Sequence, residues 1–375
     1  MARKILHLVH SLPIAGMERV LVSLANGLQK RGWPQTVCCL RQTGALAESL
    51  SPQVDLVAMN AKGRDWALAR RLRCLADQRR PDLVHGQNLG TWCDVVRAFA
   101  GRYPVVQSFH GFLKNTLPLP QRVLARRLAR RTDRLVAVSQ PLAREMARRF
   151  EVSPDSIDIV ANGIDTDHFT PQQPGRHEVQ IRASVKGRFL CVTVASLSPA
   201  KSPETLVQTA RRLPDNIAFI WVGTGPLEKR VRQMIEDAGL RQRFLLAGAH
   251  ADVRPFLRAA DVFVLPSHTE ALPISALEAQ AVGLPVVATS VGALPEIVAQ
   301  SQTGLLSEPE NPDALSACIM SLADDPATRH RMGRAARDSV IRRFSLSRMI
   351  DRYIAIYESL IGAAAQLAGG VQSTC

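Results

Sequence analysis

The sequence is poor in aromatic side chains and lacks any long uninterrupted hydrophobic run. Aromatic residues make up only 5% of the chain, which leaves little for stacking on nucleic-acid bases, and we expect no nucleic-acid partner. No window reaches the roughly 18 apolar residues that a membrane-spanning helix needs. The N-terminal apolar stretch is short and is not followed by a small-residue cleavage site, so we expect a cytoplasmic protein.

Cysteine is also scarce: the seven cysteines are odd in number, scattered and without C-x-x-C spacing. This distribution argues against a disulfide framework and against a zinc site, and it predicts reduced thiols. A full G-x-G-x-x-G is missing after both candidate glycine loops, which argues against a dinucleotide-dependent oxidoreductase.

Positive charge is abundant and unevenly spread over the 375 residues. Residues 1–170 hold 25 Lys and Arg against 14 Asp and Glu, a net charge of +11, whereas residues 171–375 hold 22 against 19, a net charge of +3. The basic surface therefore belongs to the first half. The length and the 46% of apolar residues predict a globular protein with more than one domain.

Residues 121–135, QRVLARRLARRTDRL, carry much of this charge on a predicted amphipathic helix. Arg122, Arg126 and Arg130 recur at a spacing of four, and the predicted apolar face consists of Val123, Leu124, Leu128 and Leu135. A basic amphipathic helix of this type docks on anionic lipid headgroups, which would place the protein on the inner face of the cytoplasmic membrane. An arginine-rich face in contact with solvent explains the same pattern.

Two parts of the chain show a strand, a loop and a helix in succession. Residues 4–9 precede a loop with Gly16 and a helix that ends at Gly32, and Phe189–Val194 precedes the loop 195–202 and a second helix. This succession is typical of a Rossmann-like unit. Its repetition predicts an α/β protein with two doubly wound domains that face a cleft.

The segment from residue 259 to residue 289 contains two short apolar strands around a polar loop and a helix. The predicted strands are residues 262–265 and 284–288, and Pro273 suits a first helical position because its missing N–H is not needed there. Both strands are short and apolar, so we expect them to be buried parallel strands.

Two glutamates flank the start of this helix: Glu270 lies in the loop and Glu278 in the helix. The backbone amides around Ile274 and Ser275 are unpaired donors at a helix N-terminus, which favours phosphate. Carboxylates on both sides suit the hydroxyl groups of a nucleotide sugar. From spacing alone, a solvated loop residue and a polar helix position explain the two glutamates equally well.

The E-x7-E spacing of Glu270 and Glu278, between VLPS and VGALPEIV, resembles the signature of the retaining glycosyltransferases of family four, which have the GT-B fold. The order of motifs along nearly the whole chain agrees with this family. The resemblance implies that Glu270 binds hydroxyls of the donor sugar and Glu278 the ribose. It further implies transfer from a UDP- or GDP-linked sugar to a glycan or lipid-linked acceptor in cell-surface polysaccharide or glycolipid synthesis, without a cofactor or metal.

Two motifs in the first half resemble sites of the same family. The turn A-G-M-E resembles G-G-x-E, and it implies that Gly16 contacts the donor diphosphate or sugar. The sequence SFHG resembles the site whose histidine lies near a hydroxyl of the transferred sugar, and that role falls to His110. His85 ends another predicted strand, with a helper role or a core role equally open. Asp165-Thr166-Asp167 spells the D-x-D metal motif of the other glycosyltransferase fold, and we assign no metal to it.

The loop after Phe189–Val194 resembles the family pattern G-R-L-x-x-x-K-G. The resemblance implies that Lys201 binds the donor diphosphate. Ser196 occupies the position at which the family has arginine. Gly223 and Gly225 resemble V-G-x-G-P, a loop near the nucleotide. Four family glycines are replaced in this chain, at Ala15, Ala195, Ser202 and Ala271.

We predict an acceptor domain over residues 1–170 and a donor domain over residues 171–344, joined by a linker at 170–176. A helix over 345–362 completes the first domain, and residues 363–375 form a frayed tail. Because Ser196 lacks the charge of the family's arginine, one alternative remains: a non-catalytic nucleotide-sugar-binding or scaffold protein with the same fold.

Overall fold

The computed structural model describes residues 3–63, 65–112, 119–172 and 175–370, and the chain divides into two units. The first unit is Met1–Gly163 with Leu346–Cys375, and the second is Ile164–Ser345. The predicted boundary at residue 170 therefore moves to residue 163. The Ile164 N–H donates to the Phe344 carbonyl at 2.8 Å, which fixes the start of the second unit beside its end. The predicted linker falls inside the second unit, and its residues 173–174 lie outside the described residues.

The first unit contains a parallel sheet of seven strands. They are β1 Ile5–Val9, β2 Gln35–Cys39, β3 Asp55–Ala58, β4 Leu83–Gln87, β5 Val105–Phe109, β6 Arg134–Ala137 and β7 Ile157–Ile159. Their order in the sheet is β3-β2-β1-β4-β5-β6-β7, so the order reverses between β1 and β4. Strands β1, β4 and β5 are buried along their whole length, as expected for strands that helices cover on both faces.

The second unit contains a parallel sheet of six strands. They are β8 Phe189–Val194, β9 Ile217–Val222, β10 Phe244–Gly248, β11 Val262–Leu265, β12 Val286–Thr289 and β13 Gly304–Ser307. Their order is β10-β9-β8-β11-β12-β13, with the reversal between β8 and β11. The predicted bounds of β8 and β11 are confirmed, but β12 begins two residues later than predicted. Gly283 has a φ of +86°, and Pro285 has no N–H to pair with a neighbouring strand.

Fourteen helices lie in the described residues. They are α1 Gly16–Lys30, α2 Leu68–Arg79, α3 Asn88–Phe99, α4 Leu119–Ala129, α5 Gln140–Phe150, α6 Arg176–Ser184, α7 Pro203–Arg212, α8 Glu228–Asp237, α9 Arg254–Ala259, α10 Ile274–Ala281, α11 Leu294–Ile297, α12 Pro312–Asp324, α13 Pro326–Arg343 and α14 Leu346–Gly370. Three short 3₁₀ helices lie at Ala45–Ser49, Pro154–Ser156 and Pro199–Lys201. None of these described helices is long and apolar enough to cross a membrane.

The C-terminal helix α14 packs on α1 in the first unit. Gly27 of α1 makes room for this crossing, because a Cβ there would overlap the Ile350 side chain. Ion pairs Arg31–Asp351 and Arg3–Glu358 lie along the same contact. The helix continues to Gly370, so residues 363–370, predicted as a frayed tail, are helical, and residues 371–375 lie outside the described part.

The basic helix α4 differs from its predicted pattern. It ends at Ala129, and Leu135 belongs to β6, so Leu135 is not part of an apolar helix face. The buried side chains of the helix are Ala125, Leu128 and Ala129. Leu119, Val123 and Leu124 are instead exposed to solvent, at 70%, 42% and 47%. The helix therefore presents apolar side chains beside its arginines on the outer surface.

The core of the first unit contains two fully buried histidines. His7 on β1 pairs with Gln35 at 2.7 Å, and the rings of His7 and His85 lie 5.3 Å apart. Burial lowers the pKa of His7 to about 4, although the Gln35 hydrogen bond offsets part of this shift. Burial, with the nearby His7 and His110, also lowers the pKa of His85 well below its usual value. Both histidines are therefore neutral at pH 7. His85 thus belongs to the core, one of the two roles that the sequence leaves open.

We predict that the free energy of unfolding falls as the pH is lowered from about 6.5 to about 4. In this window the unfolded chain binds protons at His7 and His85 and the folded chain does not, so acid favours unfolding. Urea unfolding at several pH values measures the slope of the unfolding free energy against pH. H7Q is expected to reduce this slope by about 1.4 kcal/mol per pH unit. The control H177Q removes an exposed histidine of the other unit. Equal slopes for H7Q and the unmodified protein would contradict the prediction.

Candidate functional site

The predicted donor-binding residues of the second unit lie where its strand order reverses. The loop 195–202 follows β8, the loop 266–273 follows β11, and residues 290–293 follow β12, and these three strands are neighbours. In open α/β sheets, ligands bind outside the carboxyl ends of the strands at such a reversal. The sheet therefore brings three loops that are distant in sequence to one ligand-binding edge.

Glu270 is at the centre of this edge, and its side chain is only 5% exposed. Lys201 Nζ lies 2.6 Å from Glu270 Oε1, and the Ser267 hydroxyl donates to the same oxygen at 2.6 Å. The two loops are also joined through their backbone, because the His268 N–H donates to the Ala200 carbonyl at 2.9 Å. The structure thus brings Lys201 and Glu270, 69 residues apart, into one site.

Gly292 fixes the backbone of Glu270. It has a φ of +53°, and a Cβ at this position would overlap the Glu270 carbonyl oxygen. The next residue, Ala293, donates its N–H to that same carbonyl at 2.9 Å. Neither Ser267 nor Gly292 is among the predicted site residues. Both lie in stretches that carry the family resemblance, VLPS and VGALPEIV, which is the signal that could have identified them.

Gly223 and Gly225 support the loop that carries Ser196. A Cβ at Gly223 would overlap the Ala195 carbonyl, and one at Gly225 would overlap the Leu197 carbonyl. The Leu197 N–H donates to the Thr224 carbonyl at 3.0 Å, so the two loops run side by side. Ser196 is exposed, and its hydroxyl lies 3.0 Å from that of Ser198. These glycines therefore allow close packing of two loops at the carboxyl edge.

The helix α10 presents its N-terminus at the same edge. Pro273 precedes it in an extended conformation without a side-chain cap, and the first-turn residues Ile274 and Ser275 are half-buried. Amides at such a position are donors for an anion. Glu278 lies one turn further along and is buried. The arrangement combines a cation, helix amides and two carboxylates in one unit.

The first unit has its own reversal of strand order, between β1 and β4. Gly16 is the first residue of α1 and follows β1 through an exposed loop. Ala15 before it has an extended backbone, with a φ of −147° and a ψ of 168°, and its side chain does not cap the helix. The amides at the start of α1 therefore face the same edge of the sheet as residues 87–88 at the end of β4.

His110 follows β5, the neighbour of β4. Its ring Nε2 lies 2.8 Å from Gln87 Oε1, and its N–H donates to Asn88 Oδ1 at 2.9 Å. Burial lowers the pKa of His110 to about 4, and a side-chain hydrogen bond with Asn162 offsets part of this shift. The ring is therefore neutral at pH 7 and serves as a hydrogen-bonding group, with Gln87 and Asn88 as partners that the sequence did not indicate.

The D-x-D sequence 165–167 forms a local turn. Asp165 Oδ1 accepts the N–H groups of Asp167 at 3.1 Å and of His168 at 3.0 Å. The carboxylate thus closes its own turn. Among the described residues, no group of three or more His, Cys, Asp or Glu side chains is arranged to hold a metal ion.

Comparison with known proteins agrees with this architecture. Residues 14–168 match the model of Glycosyltransferase Family 4, and residues 176–339 match that of Glycosyl transferases group 1. The crystal structure of Anabaena Alr3699/HepE in complex with UDP and glucose superposes with a TM-score of 0.85 at 22% sequence identity, over 96% of this chain and 100% of that one.

Two curated proteins illustrate the sequence similarity. The chain is 24% identical over 379 residues to the UDP-Gal:alpha-D-GlcNAc-diphosphoundecaprenol alpha-1,3-galactosyltransferase of Escherichia coli, covering 96% of this chain and 97% of that protein. It is 32% identical over 277 residues to the GDP-mannose-dependent monoacylated alpha-(1-6)-phosphatidylinositol monomannoside mannosyltransferase of Corynebacterium glutamicum, covering 69% of this chain and 71% of that protein.

Two Rossmann-like units with these motifs define a glycosyltransferase of the GT-B fold. The chain belongs to glycosyltransferase family 4, in the group 1 glycosyl transferases. The predicted fold and enzyme class are thereby confirmed. The alternative of a non-catalytic protein shares this fold and rests on Ser196, whereas the family and both of the relatives named above are transferases.

We predict that G292A destabilises the second unit much more than G239A. Both glycines have a positive φ, but nothing lies within 4 Å of a Cβ at Gly239, whereas one at Gly292 overlaps the Glu270 carbonyl. Urea unfolding should show a loss of about 1 kcal/mol for G239A. The loss should be at least about 3 kcal/mol for G292A, because the overlap adds to it. Equal losses would show that Glu270 is not held by this contact.

Proposed function

We propose that the enzyme transfers a sugar from a nucleotide sugar to a lipid-linked glycan acceptor, with retention at the anomeric carbon. The observation that carries this proposal is the ion pair of Lys201 and Glu270 beside the N-terminus of α10. It combines a cation for a diphosphate with a carboxylate for sugar hydroxyls. The named Escherichia coli relative uses a UDP-sugar, so UDP-sugars are the first donors to test and GDP-sugars the second.

Each donor-binding role falls to a side chain whose chemistry suits it. Glu270 accepts hydrogen bonds from hydroxyls of the donor sugar, and Glu278 from those of the ribose. Lys201 and the amides of Ile274 and Ser275 bind the diphosphate and stabilise it as it leaves. Ser196 donates one hydrogen bond where the family has arginine.

In the first unit, Gly16 and His110 contact the diphosphate and a hydroxyl of the transferred sugar, as the family resemblance implies. A neutral His110 donates or accepts a hydrogen bond without adding charge. Retention follows from attack on the face from which the phosphate leaves, with that phosphate helping to deprotonate the acceptor. No resident metal takes part, so a chelator is expected to leave the rate unchanged.

The acceptor is proposed to be a sugar carried on a lipid diphosphate, at the cytoplasmic face of a membrane. The Escherichia coli relative acts on such an acceptor and the Corynebacterium relative on a phosphatidylinositol glycoside. On this chain, α4 exposes Leu119, Val123 and Leu124 among its arginines. Apolar side chains beside basic ones suit an anionic lipid surface. Arg122 and Arg126 share Glu151, which neutralises part of the charge.

We expect E270Q and K201A each to lower the rate of transfer by about a hundredfold or more, because each removes a charge from the donor site. The two variants should differ in nucleotide binding. A ligand present at about 100 times its Kd stabilises the fold by roughly 2.7 kcal/mol. Thermal unfolding with UDP should show this shift in E270Q, whose lost group contacts the sugar, and a smaller shift in K201A.

The matched control for these variants is E228Q, which removes a half-buried carboxylate on α8 that pairs with Arg232 one turn along the same helix. Its rate should stay within about twofold of the unmodified enzyme. Rates of E270Q and K201A close to that of E228Q would refute the donor site. A scaffold function would be favoured if the folded protein transfers no sugar and neither UDP nor GDP raises its unfolding temperature.

We predict that V123S weakens binding to vesicles that contain phosphatidylglycerol, and that V179S does not. Both valines are exposed on helices, but Val123 lies on α4 and Val179 on α6 of the second unit. Sedimentation with anionic vesicles should show about a threefold weaker affinity for V123S, since roughly 0.8 kcal/mol is lost with each buried CH₂ group. Equal binding to neutral and anionic vesicles, or none to either, would contradict a membrane site on α4.

A further inference from the structure

We propose that Gln87 and Asn88 are positioning residues for sugar transfer, with Gln87 holding the ring of His110 and Asn88 its backbone. The inference rests on the role proposed for His110. It concerns a pair of side chains that no sequence motif indicated and that connect His110 to the buried core of the first unit.

The contact geometry is the first support. Gln87 is the last residue of β4, and Asn88 is the first of α3. His110 follows the neighbouring strand β5, so the two strand ends lie side by side. Gln87 Oε1 is 2.8 Å from His110 Nε2, and Asn88 Oδ1 accepts the His110 N–H at 2.9 Å. Two consecutive side chains thus hold the ring and the backbone of one residue.

The Gln87 side chain is itself held in one orientation. It is 3% exposed, and its amide nitrogen lies against the His85 ring, 3.2 Å from Nε2 and 3.4 Å from Nδ1. His85 is fixed by the Tyr357 hydroxyl on Nδ1 and the Ser108 hydroxyl on Nε2, each at 2.7 Å. With the amide nitrogen turned to His85, the amide oxygen faces His110. An oxygen only accepts, so His110 carries its proton on Nε2.

Asn88 is held in a strained conformation. It has a φ of +59°, in the left-handed region that non-glycine residues seldom occupy, although asparagine tolerates it best. Gln107 Nε2 donates to the Asn88 carbonyl at 2.7 Å and stabilises this backbone. Such strain persists where surrounding contacts fix it, often at functional sites. Here it directs Oδ1 towards the backbone of His110.

A structural role alone would also pair these buried polar groups, and a matched variant separates the two roles. Gln35 is likewise 3% exposed, lies on the same sheet and bonds a buried histidine, His7, at 2.7 Å. Q87M and Q35M therefore each remove a hydrogen bond to a buried histidine, but only Q87M removes one to His110. A third variant, Q87E, keeps an acceptor for His110 Nε2 and adds a charge.

The experiment measures kcat and KM with a nucleotide sugar for all three variants, together with ¹H–¹⁵N spectra of the histidine rings. Q87M should lower kcat by roughly tenfold to a hundredfold with KM for the donor within about twofold, because a misplaced group slows the reaction more than binding. Q35M should keep kcat within about threefold. In the spectra, His110 should be protonated on Nε2 in the unmodified enzyme and shared between both nitrogens in Q87M.

Q87E should recover kcat relative to Q87M and raise the pKa of His110 above its value of about 4, because the carboxylate stabilises the charged ring. The resonances of His85, the titratable neighbour of His110, are followed in the same titration. The proposal is overturned if Q87M lowers kcat no more than Q35M does, or if its His110 ring keeps the Nε2 proton. The ring spectra require no turnover, so they still decide on Gln87 if the proposed transfer is not observed.

Discussion

The ion pair of Lys201 and Glu270 links the topology of the second sheet to the chemistry of its edge. A carboxylate that is 5% exposed loses several kcal/mol of hydration, which only a close cation and a hydroxyl offset. Lys201 follows β8 and Glu270 follows β11, so the pair forms only because these strands are neighbours at the reversal of strand order. The charge balance of the site therefore depends on the order of the strands in the sheet.

Backbone angles explain how this chain accommodates other residues at the four positions where the family has glycine. Ala15 is extended, and neither Ala195 nor Ala271 has a positive φ, so alanine costs no backbone strain at these positions. Ser202 is different, because its φ of 45° is left-handed and costs on the order of 1 kcal/mol. Its hydroxyl lies 2.8 Å from that of Thr205 in α7, which offsets part of this cost. These substitutions therefore leave the loops in place, and Ser196 is the replacement that changes the charge of the site.

Sequence patterns predicted the elements whose boundaries are marked by glycine or proline and whose residues are uniformly apolar. The strands β8 and β11 are of this kind, and so is the placement of Glu270 and Glu278. The patterns failed where contacts between segments distant in sequence determine the secondary structure or the site. Leu135 continues the apolar spacing of α4 but pairs with β5 and β7 as part of β6. The contacts of Gln87 and Asn88 with His110 join the ends of two different strands, which periodicity along one segment does not reveal.

The first unit is completed by residues from the far end of the chain. Tyr357 bonds His85 across 272 residues, and Tyr353 lies 3.0 Å from the Ser108 hydroxyl across 245 residues. The whole second unit is synthesised between these partners, so the polar core of the first sheet is unsatisfied until α14 packs on α1. The loop that these contacts close is long, so their formation costs chain entropy that the packing of α14 must offset. Since His85 contacts Gln87 and Gln87 contacts His110, the packing of α14 also completes the support of the His110 ring.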